Sequence, residues 1–257
     1  MADAPFELID TKGLRRFVLA RQKISGGVAA TPKLPATVQD SFYALDILAT
    51  IGCGKELSTL VDPAKMLVFF KARLKDNPAP PWQLAWFIHR SCLLLGLDPP
   101  QANPGEPVQS AEDLFYRNDL QPLKEEAPYP EYPLRTCRDR YYHLLLSSQE
   151  MEKGQRCKAA DWFKQCQNHD GGFGFFPRTT SYIENSHYCL AALALLGRQP
   201  EYPQKAANFI IFSQTGRGGF SRNIRAAPFL DASWHAIRAI TALAALKSGH
   251  KNKLLLA

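Results

Sequence analysis

KAADWFKQCQNHDGGFGF, starting at Lys158, and KAANFIIFSQTGRGGFSR, starting at Lys205, are two copies of one unit. Lys158 matches Lys205, Trp162 matches Phe209, Gln167 matches Gln214 and Gly171 matches Gly218, an offset of 47 each time. A third copy, KGLRRFVLARQKISGGV, starts at Lys12 and puts Gln22 and Gly26 in the matching places. Nineteen positions after each glutamine stands a serine, at Ser41, Ser186 and Ser233, followed by FYALDILATIG, HYCLAALALLG and WHAIRAITALAAL. A fixed period of this length marks a chain built from stacked supersecondary units.

The period inside the unit gives its structure. Ala159, Trp162, Phe163 and Cys166 recur at i, i+3, i+4 and i+7, with Lys158, Asp161, Lys164 and Gln165 on the other side, so the first segment is an amphipathic helix with one wet face. The second, from Ser186 to Leu196, is apolar nearly all round, as a helix packed on several sides must be. Alternation of the two kinds implies concentric layers, outer helices facing water and inner helices forming a barrel. The glycine pair supplies the backbone freedom that ends the outer helix and turns the chain inward.

The clear repeats occupy 12–52, 155–197 and 202–246, and weaker ones are legible at 60–97 and 108–150. In these, PAKMLVFFKARLK pairs with WQLAWFIHRSCLLLG, and AEDLFYRNDL with RDRYYHLLLSSQEME. Eleven of the 19 prolines fall between Pro78 and Pro133, which makes DNPAPPW, DPPQANPGEP and APYPEYP stiff connections. The expectation is an all-α protein, one α/α-toroid domain over 1–257 with about five helical hairpins in inner and outer layers.

Composition bounds the function. With 257 residues, 46% of them hydrophobic, the chain can bury one large core. A net charge of +7 favours acidic ligands, but no basic run or RNA-binding signature concentrates it, so nucleic acid is not an expected partner. The N-terminal MADAPFELIDTKGLRR has no signal-peptide pattern and no apolar stretch is long enough for a membrane span, so a cytoplasmic location is expected. The six cysteines form no CxxC and read as free thiols, including Cys53 in GCGKE, where Glu56 stands in place of the glutamine that a thioester would need.

The pattern Lys-Ala, aromatic-aliphatic, Gln and Gly-x-Phe, with GGFGFFPRTTSYIENSHYCLAALALLG behind it, resembles the repeat of the terpenoid cyclase and protein prenyltransferase β-subunit superfamily, including the squalene cyclase repeat. The likeness implies a toroid with an isoprenoid in its central cavity. It also implies that the basic pair Arg222 and Arg225 would meet a diphosphate. Asp231 would match a zinc-ligating acid, but Ser233 stands where the family has a cysteine, and a hydroxyl does not replace a thiolate on zinc. No metal or other cofactor is therefore expected. The acid clusters of the cyclases are absent too: the matching places read Tyr182-Ile-Glu184-Asn185, Thr37-Val-Gln39-Asp40 and Phe229-Leu-Asp231-Ala232.

Features shared by all copies belong to the fold, and those confined to one copy are candidates for chemistry. On that basis the candidate catalytic residues are Asp231, His235, Glu184 and His187. Each has a structural alternative: a helix cap for Asp231, a dipole partner for Glu184, hydrogen-bonded core histidines for the other two. Candidate substrate-binding residues are Arg222, Arg225, Asp40, Tyr43, Trp86, Tyr188 and Trp234. The leading expectation is a toroid that binds an isoprenoid or prenyl diphosphate, or a prenyltransferase with an incomplete zinc site. The alternatives are a non-catalytic toroid that holds a protein partner subunit and a terpene cyclase with an acid cluster of Asp40, Glu184 and Asp231. The residues leave open whether the protein is an enzyme.

Overall fold

The structure, a computed structural model, describes residues 6–122, 132–148 and 150–248. Most of the APYPEYP connection and both ends of the 1–257 span lie outside the described residues. The helices run α1 (Thr11–Leu19), α2 (Val38–Leu48), the single turn α3 (Leu57–Leu60), α4 (Pro63–Asp76), α5 (Trp82–Leu94), α6 (Ala111–Leu120), α7 (Cys137–Ser147), α8 (Lys153–Gln165), α9 (Ile183–Leu196), α10 (Pro203–Phe212) and α11 (Leu230–Ser248). Side chains start several of them: Asp10, Thr37, Asp62, Ser110 and Thr136 each accept the N–H three residues on, satisfying one of the helix's orphan donors.

The inner layer is a closed ring in the order α2, α5, α6, α7, α9, α11 and back to α2, each helix packed on the next. The outer helices α1, α8 and α10 lie behind α2, α9 and α11. The degenerate 108–150 unit is built differently from the others: α6 and α7 stand side by side in the ring, and α6 packs against α5 on its far side. Its ten residues bury Ala111, Leu114 and Tyr116, and the long proline-rich stretch before it carries the chain from the end of α5 back to the start of a neighbouring ring helix.

One joint links successive units, and it is made by the repeated residues. Gln167 donates to the carbonyl of Tyr202 and accepts its N–H, gripping the start of α10. Gln22 donates to the Leu60 carbonyl just ahead of α4. Gln214 grips Asp10 at the start of α1 in the same two-bond manner, so the last unit holds the first. The glycines complete the joint. A Cβ on Gly171 would stand 2.2 Å from the Lys205 backbone, one on Gly218 2.2 Å from that of Gly13, and both have φ near +90°. Only glycine permits that approach and that backbone together.

The repeated serines are structural as well. Ser41, Ser186 and Ser233 each accept the N–H of Val28, Phe173 or Phe220 and donate to the carbonyl four residues back, tying the turn to the first coil of the inner helix.

Candidate functional site

The sequence of each inner helix repeats a feature that only the ring makes meaningful. Counting from its first residue, the fifth and sixth positions are Phe42-Tyr43, Trp86-Phe87, Phe115-Tyr116, Tyr141-Tyr142, His187-Tyr188 and Trp234-His235. The sixth residues meet their neighbours all the way round. Ring centroids are 5.8 Å apart for Tyr43 and Phe87, 6.0 Å for Phe87 and Tyr116, and 5.8 Å for Tyr116 and Tyr142. The circuit closes at 6.2 Å for Tyr142 and Tyr188, 5.4 Å for Tyr188 and His235, and 6.3 Å for His235 and Tyr43. The six side chains thus make a closed belt round the axis. The fifth residues pack just outside it, as in the edge-on contact of Phe42 with Trp86 at 5.2 Å.

Four residues earlier on the same face, the second residues of the inner helices form a polar ring at the mouth: Gln39, Gln83, Glu112, Arg138, Glu184 and Asp231. Glu112 is its most connected member, accepting from Arg138 at 2.7 Å and from the Tyr116 hydroxyl at 2.8 Å. The Tyr116 and Tyr142 hydroxyls lie 3.0 Å apart, which extends the polar chain into the belt. Burial works against the Arg138 charge, but the Glu112 carboxylate beside it outweighs that and holds the guanidinium protonated. Burial raises the tyrosines of the belt far above ordinary phenol values, so all remain neutral. Below the belt, the ninth residues carry a buried ion pair, Asp46 with Arg238 at 3.8 Å, and Asp46 also accepts the Trp234 indole N–H at 2.6 Å. The cavity left among these side chains measures about 40 Å³ and is lined by Tyr43, Trp86, Glu112, Arg138, Tyr188 and their neighbours. That is room for roughly three waters.

The residues singled out from the sequence fall into three places. His187 and His235 come together in the belt, Nδ1 to Nδ1 at 2.9 Å, so one imidazole must be the Nδ1–H tautomer and the other its acceptor. Burial first, then the neighbouring cations, hold both neutral, His235 down to about 3 despite the opposing pull of Asp231. Tyr43 stacks on Trp234 at 4.4 Å, Tyr188 lies between Tyr142 and His235, and Trp86 donates its N–H to Asp119 at 2.7 Å.

Glu184, Asp231 and Arg222 gather on the rim: Arg222 donates to Asp231 at 2.8 Å, and the hydrogen bond to Asp231 and the nearby Glu184 raise its pKa. Asp40 accepts from the Thr37 hydroxyl, and burial, with the nearby Asp231 acting in the same direction, pushes its pKa up. Arg225 is exposed at φ +75°, and Arg178, one repeat earlier, has φ +68° in the same loop position. It is a repeated turn residue standing apart from the lumen.

The side chains do not fit the zinc of related enzymes. Asp231 is engaged with Arg222, the Ser233 hydroxyl is fully buried and spends both hydrogen bonds on backbone, and the His235 Nδ1 is taken by His187. No three His, Cys, Asp or Glu side chains come together to hold a metal among the described residues. Glu112, Arg138, Tyr116 and Tyr142, which make most of the polar mouth, were not singled out from the sequence because they lie in the degenerate repeats. The aromatic doublet in the six inner helices is the signal that finds the tyrosines, and the second position of the same helices finds Glu112 and Arg138.

A family model, the prenyltransferase alpha-alpha toroid domain, matches residues 4–74, 141–225 and 178–255. The chain belongs to that family. Among solved structures, the Candida albicans protein geranylgeranyltransferase-I complexed with GGPP is similar at 16% identity, over 91% of this chain and 43% of that one, with a TM-score of 0.25. The chain thus spans less than half the length of that protein. No curated protein matches. No helix among the described residues is long and apolar enough to cross a membrane.

Proposed function

We propose that the protein binds an isoprenoid at the mouth of its lumen, with the oxygen-bearing head at the polar ring and the first isoprene units against the aromatic belt. The observation that carries this reading is the layering: a ring of polar second residues, in which Arg138 pairs with Glu112, one turn before a complete belt of aromatic sixth residues. Apolar walls with a few convergent polar groups are the usual make-up of a small-molecule site. The cavity of about 40 Å³ is too small for a whole isoprenoid, so the ligand must part the belt as it enters.

The head need not be a diphosphate. Both arginines at the mouth already face carboxylates, Arg138 with Glu112 and Arg222 with Asp231, so the positive potential left for an anion comes mainly from the converging inner-helix N-termini. Farnesol and farnesyl diphosphate, each titrated while tryptophan fluorescence is followed, test the reading, because Trp86 and Trp234 flank the belt. Both should quench saturably and compete. Arg138→Gln should weaken the diphosphate by about tenfold or more, because it leaves the Glu112 carboxylate unpaired at the mouth. The closed belt favours a second reading, a toroid plugged by its own side chains that serves to hold a protein. Absence of saturable binding by native protein and by Tyr188→Ala, which widens the belt, would overturn the first reading.

A further inference from the structure

The three loops that lead from the repeated turns into α2, α9 and α11 occupy 29–37, 174–182 and 221–229. They stand side by side on the mouth rim, because α9 packs on α11 and α11 on α2. Two of the loops also bond across to the preceding ring helix: the Phe175 carbonyl accepts the Cys137 N–H that begins α7, and the Arg222 carbonyl accepts the Ile183 N–H that begins α9. Two features set this rim apart from the rest of the surface.

The first is apolar. Of the eleven large hydrophobic side chains exposed among the described residues, six lie on these loops: Leu34, Phe175, Phe176, Tyr182, Ile224 and Phe229. The other five are scattered over the turn before α1, the turn behind it, α4, α5 and α10. Single exposed apolar residues are normal on a soluble protein, but a cluster rimmed by polar groups marks a binding surface.

The second is basic. Lys33, Arg178 and Arg225 occupy one repeat position, one on each loop, all exposed and none in an ion pair among the described residues. The fold does not ask for them. Arg178 and Arg225 have φ of +68° and +75°, where glycine or asparagine would sit more comfortably, yet a long cation stands there in both copies.

We propose that this rim is a docking surface for an anionic lipid bilayer, with the basic residues on the headgroups and the aromatic tips in the interface. Aromatic side chains settle at that depth, and arginine and lysine beside them are drawn to acidic lipids. The chain's net charge of +7 acts in the same direction. The assignment fits the proposed ligand, since an isoprenoid is held in membranes and the lumen mouth opens among these loops. It rests on that reading only for its purpose, because vesicle binding is measured with no isoprenoid present.

Flotation with phosphatidylcholine vesicles, with and without phosphatidylglycerol, tests it. The native protein should float only with the anionic vesicles and should release as salt rises. Neutralising the three cations, in Lys33→Gln with Arg178→Gln and Arg225→Gln, should weaken binding by about fivefold per residue, ~100-fold together. Phe175→Ser with Phe176→Ser should weaken it without removing the salt dependence. Thermal melts establish that these variants fold, and the salt and lipid dependence of the native protein stands without them. Equal binding to neutral and anionic vesicles, or none to either, overturns the proposal. Failure to float combined with salt-sensitive binding to polyglutamate would assign the rim to an acidic protein instead.

Discussion

The His187–His235 pair shows how one position changes its meaning with its surroundings. Each histidine stands just inside an apolar helix, where either a general base or a core residue can sit. The ring places the two Nδ1 atoms 2.9 Å apart inside a belt of aromatics, and burial holds both imidazoles neutral. The unfolded chain titrates these histidines near 6.5, whereas folded His235 stays neutral down to about 3. Between those values the unfolded state binds more protons than the folded one. Stability is therefore fully present above pH 6.5 and is lost as pH falls towards 3, at about 1.4 kcal/mol per pH unit for His235, with His187 adding in the same direction. Urea unfolding from neutral to mildly acid pH reads the slope. His235→Phe should lower stability at neutral pH, because His187 loses its partner, and should make the acid slope shallower. An unchanged slope would show that the pair is not neutral in the folded protein.

At the scale of the element, the repeat is a joint as much as a hairpin. The glutamine, the two glycines and the serine recur because each touches either the next unit's first turn or its own inner helix. Gln214 makes three bonds, to both backbone groups of Asp10 and to the Gly218 carbonyl, and so carries the junction between the last unit and the first. Gln214→Ala should cost about 1–3 kcal/mol, the range for polar groups left without partners. Hydrogen exchange should find the loss concentrated in α1, Thr11–Leu19, with α9 still protected. Uniform loss of protection over all helices would mean that the joint does not act locally. The control internal to the sequence, that shared residues serve the fold, is supported at these positions. The same comparison removes Arg225 from the residues peculiar to the last copy, since Arg178 takes the same left-handed backbone one repeat earlier, although nothing in that backbone calls for a cation.

At the scale of the molecule, closure is the decisive fact. An open array of repeats gains stability unit by unit and can fray from its ends. Here α11 packs on α2, Trp234 stacks on Tyr43 and bonds Asp46, and Arg238 pairs with Asp46, so the two ends of the repeat series share one buried seam. Unfolding should accordingly be a single transition, with circular dichroism and tryptophan fluorescence giving coincident curves in denaturant. Two separated transitions would show that the seam does not couple the ends.

The sequence by itself determined the repeat, the layers and the α/α architecture, because periodicity and the turn residues are local properties of the chain. It also held the aromatic doublets, though nothing local says that six of them meet. Tertiary structure decided which helices form the ring, and with that the place of α6 beside α7, the closed belt, and the convergence of Glu112 with Arg138 from units whose repeat pattern had decayed. The physical reason is that a belt or an ion pair depends on the angle at which each helix faces the axis. Packing all the inner helices together fixes that angle, and the residues of one helix do not.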